Sequence, residues 1–239
     1  MREVVSIAKK ELRAYFDAPV AYIVIVVFLA VTGWMFFSRL FLLGQADVRV
    51  LFGPSTFSPS LLLVILIPAL TMRLVAEERK TGTIELLTTM PVTDTEVVLG
   101  KFLASFALVG IALALTFAYP LTVSFLGPLD WGPVVSGYLG LFLFSAALLA
   151  IGVFCSALTS NQIVAFIVAF MVCATLYYLY WLEFFVPQAI APFTEVISVS
   201  FHLDNMARGV IDTRDVIYYL SVTVGGLFLA VIALSRQHA

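Results

Sequence analysis

The chain has 239 residues, 62% of them hydrophobic and only 12% charged, with a formal net charge of −2. A soluble domain carries about 25% charged residues, and a water-soluble fold could not hide this much apolar surface, so lipid is the expected solvent. The near-neutral balance, with no basic stripe and no stacking platform, argues against a nucleic-acid partner.

The N-terminus opens with charged residues and carries no short apolar core followed by an A-x-A site. The first hydrophobic run is therefore expected to remain as an anchor. Ahead of it, residues 1–18 read as an amphipathic helix lying in the membrane interface. Val4, Ala8, Leu12 and Phe16 recur at i+4 beside Val5 and Tyr15, and Lys9, Lys10, Arg13 and Asp17 form the opposite stripe. That pattern turns an apolar side toward lipid and lysines toward headgroups, and Pro19 ends it.

Six spans follow. The first is 20–41 and the second 60–75, with Pro68 near its middle to kink it. The third is 97–123, interrupted late by Pro120, and the fourth is 134–158. The fifth is 162–182 and the sixth 216–235. A hydrocarbon core of roughly 30 Å needs about 20 helical residues; the second run is the shortest, and Arg73 is placed to snorkel at its inner end. Lysine and arginine sort the two sides. With the N-terminus inside, the inner set is Arg2, Lys9, Lys10, Arg13, Arg73, Arg79, Lys80, Lys101 and Arg236, and the outer set is Arg39, Arg49, Arg208 and Arg214. The expected fold is an all-α integral membrane bundle of six helices, N-in and C-in, forming a single domain over 1–239. Cys155 and Cys173 lie in apolar runs without a CxxC and read as packing residues, not metal ligands.

The inner connection 76–96 holds the densest charge in the chain, from Ala76-Glu77-Glu78-Arg79-Lys80 to Thr93-Asp94-Thr95-Glu96. Thr93 with Glu96 makes a capping-box pattern that starts the third span. Gly82, between Thr81 and Thr83, permits a sharp bend. Mixed charge with a few apolar anchors such as Ile84 and Leu87 suits a docking surface for a soluble partner and equally a solvated loop. The outer segment 183–215 is too polar for a seventh span, yet carries Phe193, Val196, Ile197, Val199, Phe201 and Leu203; it reads as short helices dipping into the outer leaflet.

The run Glu78-Arg79-Lys80-Thr81-Gly82-Thr83-Ile84-Glu85-Leu86-Leu87 between spans two and three resembles the coupling segment of ABC-2-type permeases, the membrane subunits of ATP-binding-cassette exporters. The resemblance covers the whole chain, with Lys9-Lys10-Glu11-Leu12 on an elbow helix before six spans. Phe201-His202 and the stretch from Arg208-Gly209-Val210 to Tyr218-Tyr219 resemble the gliding-motility-type branch. It implies a separate cytosolic ATPase in two copies, which binds ATP and grips the coupling segment through Glu78, Arg79, Thr81, Gly82, Thr83, Glu85 and Leu86. Lys9, Lys10 and Arg13 of the elbow lie nearby. It also implies a second permease, identical or related, and a membrane-anchored periplasmic companion, in the bacterial inner membrane. The chain itself has no G-x-x-x-x-G-K-[ST] and no cofactor of its own is expected.

Three other functions compete. An ion-coupled carrier needs ionisable groups inside the bilayer, and the cores of the six spans lack them. An intramembrane enzyme is disfavoured, because the only histidines are His202 and His238, and G-x-S-x-G and H-E-x-x-H are both missing. A non-transporting permease that passes ATP-driven motion to periplasmic partners stays open beside transport. Small residues at Gly137, Gly140, Gly152 and Ser156 suit close helix packing or a dimer seam.

Overall fold

A computed structural model describes residues 2–43, 48–54, 58–82, 92–182 and 191–236. Among the described residues all regular structure is helical: α1 (Arg2–Asp17), α2 (Val20–Leu43), α3 (Arg49–Phe52), α4 (Pro59–Thr71), α5 (Ala76–Thr81), α6 (Asp94–Leu115), α7 (Ala118–Leu126), α8 (Trp131–Leu158), α9 (Gln162–Leu182), α10 (Ala191–Ile197), α11 (Val199–Ala207) and α12 (Thr213–Ser235). Six stretches are long and apolar enough to cross a membrane, namely α2, α4 with α5, α6 with α7, α8, α9 and α12. The chain is therefore a multi-pass membrane protein.

The bundle is organised around α8. Two-thirds of its most apolar window is buried (67%), against 28% in α2, 22% in α9 and 17% in α12. Helices α4, α6, α9, α11 and α12 all pack on it. It serves as an axis because its surface is small where neighbours approach. A Cβ at Gly137 would collide with the ring of Phe52 from α3, one at Gly140 would press on Met206 of α11, and one at Gly152 would collide with Thr71 of α4. Ser156 continues that stripe. These positions are spent on packing within the chain and not on a seam between copies.

Helix starts follow local side-chain chemistry. Thr93 and Glu96 form the expected capping box: the Thr93 hydroxyl accepts from Glu96 N, and the Glu96 carboxylate accepts from Thr93 N at 3.1 Å. Ser58 caps α4 with Pro59 as its first residue. Asp130 caps α8 and Asp212 caps α12.

Two spans break at places other than the prolines the sequence reading singled out. The second stops at Thr71, not at 75, and four turn residues precede α5. The third breaks at Thr116–Phe117, earlier than Pro120 itself. The cause is Pro120 acting one turn back: having no N–H, it cannot bond the carbonyl of Thr116. Tyr119 N takes that carbonyl instead, at 2.9 Å in a tighter turn.

The apolar face of α1 also differs from expectation. Its half-buried residues, Val4, Ile7, Ala8, Glu11, Leu12 and Tyr15, lie on the side packed against α6. Gly100 allows that approach, since a Cβ there would strike Ile7. The protein thus takes much of the face that the sequence assigns to lipid, while Val5 stays half exposed.

Gly152→Ala should lower stability by about 1–3 kcal/mol, the usual range for overpacking a tight contact. Gly225, whose Cβ would meet nothing within 4 Å, is the control: Gly225→Ala should leave stability equal or raised, through helix propensity. Thermal unfolding of the two variants in detergent checks the contrast.

Candidate functional site

At one end of the bundle, α1, α5 and the start of α6 meet around a buried lysine. Lys101 sits two turns into α6 and its side chain is 3% exposed. Its Nζ donates to Glu11 Oε1 of α1 at 3.1 Å and to Glu78 Oε1 of α5 at 2.7 Å. An ammonium removed from water must be paired and hydrogen-bonded, so Lys101 fixes the places of both carboxylates. Beside it, the Tyr15 hydroxyl is hydrogen-bonded to Ser105 at 3.0 Å. Burial pushes the Tyr15 phenol well above its ordinary pKa, with the Ser105 bond pulling the other way. It stays a neutral hydrogen-bonding group.

A second anchor holds α5 to α8. The Ser156 hydroxyl accepts from Val75 N at 3.1 Å and Ala76 N at 3.2 Å, and donates to Met72 O at 3.2 Å. One side chain thereby closes the backbone of the turn before α5, where helix geometry leaves N–H groups unpaired. Arg79 adds a bond from Nη1 to Ala157 O at 2.8 Å, at the end of α8. Glu77 and Glu78 in the first turn of α5 and Arg79 and Lys80 in its last complement the helix dipole. Gly82 ends α5 with φ 72, in the left-handed region that favours glycine.

The sequence-derived residues are thus distributed unevenly. Glu78 and Arg79 are half buried and bonded to the bundle. Thr81 and Gly82 are exposed, as are Glu77 and Lys80 beside them. Thr83, Glu85 and Leu86 lie outside the described residues. Lys9, Lys10 and Arg13 are exposed on α1, on the side away from α6. The sequence reading missed Glu11, Lys101 and Ser156 as partners. It counted Lys101 only as an orienting charge and took the span cores to be free of ionisable groups. Lys101, inside the third span, is the correction. The available signal was a lysine standing five residues into an apolar run.

The opposite end has its own buried polar set. His202 Nδ1 lies 2.6 Å from Asp215 Oδ1, and Nε2 lies 3.3 Å from Val196 O. The ring stacks on Tyr218 with centroids 4.0 Å apart. Tyr218 OH donates to Ile197 O, Tyr219 OH to Val199 O and Ser200 Oγ to Tyr177 O. These bonds fasten α10 and α11 to α9 and α12. Among the described residues no group of three or more His, Cys, Asp or Glu could hold a metal.

A family model described as ABC-2 family transporter protein matches residues 48–234, well over half of the chain. A search of curated proteins finds no match.

Lys101→Met should destabilise the protein by about 2–3 kcal/mol, because it leaves two carboxylates facing one another without their cation. Adding Glu11→Gln and Glu78→Gln to the same chain should restore most of the loss, since the uncompensated charge is gone. Unfolding midpoints of the single and triple variants check this. A triple variant no more stable than Lys101→Met would mean that packing, and not charge, holds the joint.

Proposed function

The chain belongs to the ABC-2 transporter family, and from that membership we propose that it couples ATP hydrolysis on a separate cytosolic ATPase to movement of a substrate through the bilayer. The family places it as the permease, a membrane subunit of an ABC transporter and not the ATPase. The observation that carries the coupling reading is the joint at Lys101. Glu11 belongs to the elbow and Glu78 to the segment that the resemblance sets against the ATPase, and one buried lysine ties both to the third span. A push on either element is delivered to α6 without slack, because close-packed, paired groups do not deform continuously.

In this reading α1 is the elbow at the cytosolic face, both termini are cytosolic, and the membrane is the bacterial inner membrane. The exposed Lys80, Thr81 and Gly82, with Lys9, Lys10 and Arg13, offer positive charge to the ATPase, and Thr83, Glu85 and Leu86 follow Gly82 in the sequence of the same segment. Two ATPases and two permeases, identical or related, make the complex. The outer stretch around His202 and Tyr218 supports the gliding-motility-type branch with its periplasmic companion.

A second reading has an observation of its own. The outer helices α10 and α11 are bonded to α9 and α12 through Tyr177, Tyr218, Tyr219 and the His202–Asp215 pair. A platform held so firmly can pass motion to a periplasmic protein without any substrate crossing.

Gly82→Pro and Glu85→Lys are expected to insert normally yet lower ATP-dependent movement of a fluorescent lipid in liposomes about tenfold, the size of a typical coupling energy. Full movement with normal ATPase binding in both variants refutes the coupling assignment. ATP turnover by the unmodified complex with no movement of any amphiphile favours the motion-transmitting reading. A cysteine at position 82 that labels from the periplasm of intact cells overturns the orientation.

A further inference from the structure

Between α1, the end of α4 and the start of α5 lies a cleft of about 320 Å³ with Lys101 at its floor. Its wall is apolar on the α4 side, where Ala69 and Leu70 stand, and continues past Val20 at the start of α2. Its charged lining comprises three carboxylates, Glu11, Glu77 and Glu78, against two cations, Arg73 and Lys101. Glu11 and Glu78 are bonded to Lys101. Arg73 and Glu77 are different. They are exposed, one helical turn apart through the bond from Glu77 N to Arg73 O, and neither side chain is in an ion pair among the described residues.

We propose that this cleft binds the headgroup of an aminophospholipid, a primary ammonium beside a phosphate, drawn from the leaflet on the side of the chain's N-terminus. Charge complementarity selects that occupant. The guanidinium of Arg73 presents a planar fork to the phosphate. The primary ammonium has three N–H donors and meets Glu77 with the carboxylate-rich lining behind it. The glycerol and the first methylenes lie along Ala69, Leu70 and Val20, where the cleft opens beside the apolar surface of α2. A choline headgroup has no N–H to give these carboxylates. A glycerol headgroup carries no cation, and its phosphate would face the excess of acids. The proposal goes beyond the transport reading and does not depend on it: it requires only that the chain sits in a bilayer.

Native mass spectrometry of the full-length protein in detergent tests it, with phosphatidylethanolamine, phosphatidylcholine and phosphatidylglycerol of identical chains added at equal concentration. Phosphatidylethanolamine should be retained as one preferred adduct. Glu77→Gln and Arg73→Ala should each lower its occupancy about threefold, the scale of one partly exposed ion pair, while Arg73→Lys, which keeps the charge and loses the fork, should fall between Arg73→Ala and the unmodified protein. Both positions are exposed, so folding is preserved and is checked by circular dichroism. Equal retention of the three lipids, or unchanged occupancy in both variants, overturns the proposal. Competition by soluble glycerophosphoethanolamine as effective as intact lipid also overturns it, since the cleft would then be a site for a free amine.

Discussion

Wherever a helix breaks inside a bilayer, the protein itself must bond the backbone groups that the break releases, because no water is present to do so. Among the described residues the helices break at two such places, one closed by a side-chain hydroxyl from another span and the other by a backbone N–H of its own turn. The turn at 72–75 is closed by Ser156 of α8. The break at Thr116 is closed by Tyr119 N, and the Thr116 hydroxyl is held between Leu113 O and the Tyr138 hydroxyl. From the same span, the Tyr119 hydroxyl donates across to Leu29 O of α2. The interruptions are therefore fixed points that tie one span to another. They explain why the axis is α8: it supplies Ser156 and Tyr138, and it is small enough at Gly137, Gly140 and Gly152 for its neighbours to come within bonding distance.

The same constraint gives the Lys101 joint its mechanical meaning. The turn before α5 lets the chain leave the second span at a fixed place, and Ser156 and Arg79 pin both ends of α5 to α8. Glu78 is thereby presented to Lys101 from one side, while α1, seated on Gly100, presents Glu11 from another. A short helix of six residues has little stability of its own. Here it is held by three hydrogen bonds to two spans, from Ala76, Glu78 and Arg79, so it moves with them. Its outward Lys80 and Thr81, with Gly82 after them, are left to a partner, while Glu77 lines the cleft beside Arg73. The opposite end works by the same economy: the His202–Asp215 pair and the Tyr219 hydroxyl hold α11 to α12, and the Ser200 hydroxyl holds it to α9, although its polar residues rule it out as a span of its own.

What could be read from the sequence was local. Hydropathy over about 20 residues located six spans, and the Thr93 and Glu96 spacing marked the start of the third, because a capping box is complete within four residues. Gly82 was legible for a similar reason: its left-handed φ is a property of one residue. Pro120 was legible as a cause but misplaced as an effect, since proline disturbs the carbonyl four residues earlier. The partnerships were not legible. Glu11 and Lys101 are 90 residues apart, Glu78 and Lys101 are 23 apart, and Ser156 bonds a turn about 80 residues away. Periodicity tells which face of a helix is apolar and is silent on which helix will meet it. So the face of α1 that reads as lipid-facing proved to contain Glu11, with its carboxylate turned to a buried lysine. His202 was not paired with Asp215, though 13 residues and one helix reversal bring them within 2.6 Å.

The small residues of α8 carry a last consequence. In a bilayer, helices associate through close packing and hydrogen bonds and not by escape from water, since lipid tails are as apolar as leucine. Gly137, Gly140, Gly152 and Ser156 are the obvious stripe for such packing, and the chain consumes all four on α3, α11, α4 and the turn before α5. What is left facing outward on α2, α9 and α12 is mostly bulky and aliphatic or aromatic, Trp34, Val26, Ile163, Met171, Val224 and Phe228 among them, with Gly225 of α12 a small exception. Away from Gly225, bulky apolar surfaces of that kind offer neither close backbone approach nor hydrogen bonds between spans. A second permease meeting this one along the membrane would find the energetics of lipid on either side of the exchange. Polar side chains return beyond the hydrocarbon, at the charged end around α1 and α5 and at α10 and α11 on the opposite end, and there a protein partner gains hydrogen bonds and ion pairs that lipid does not offer.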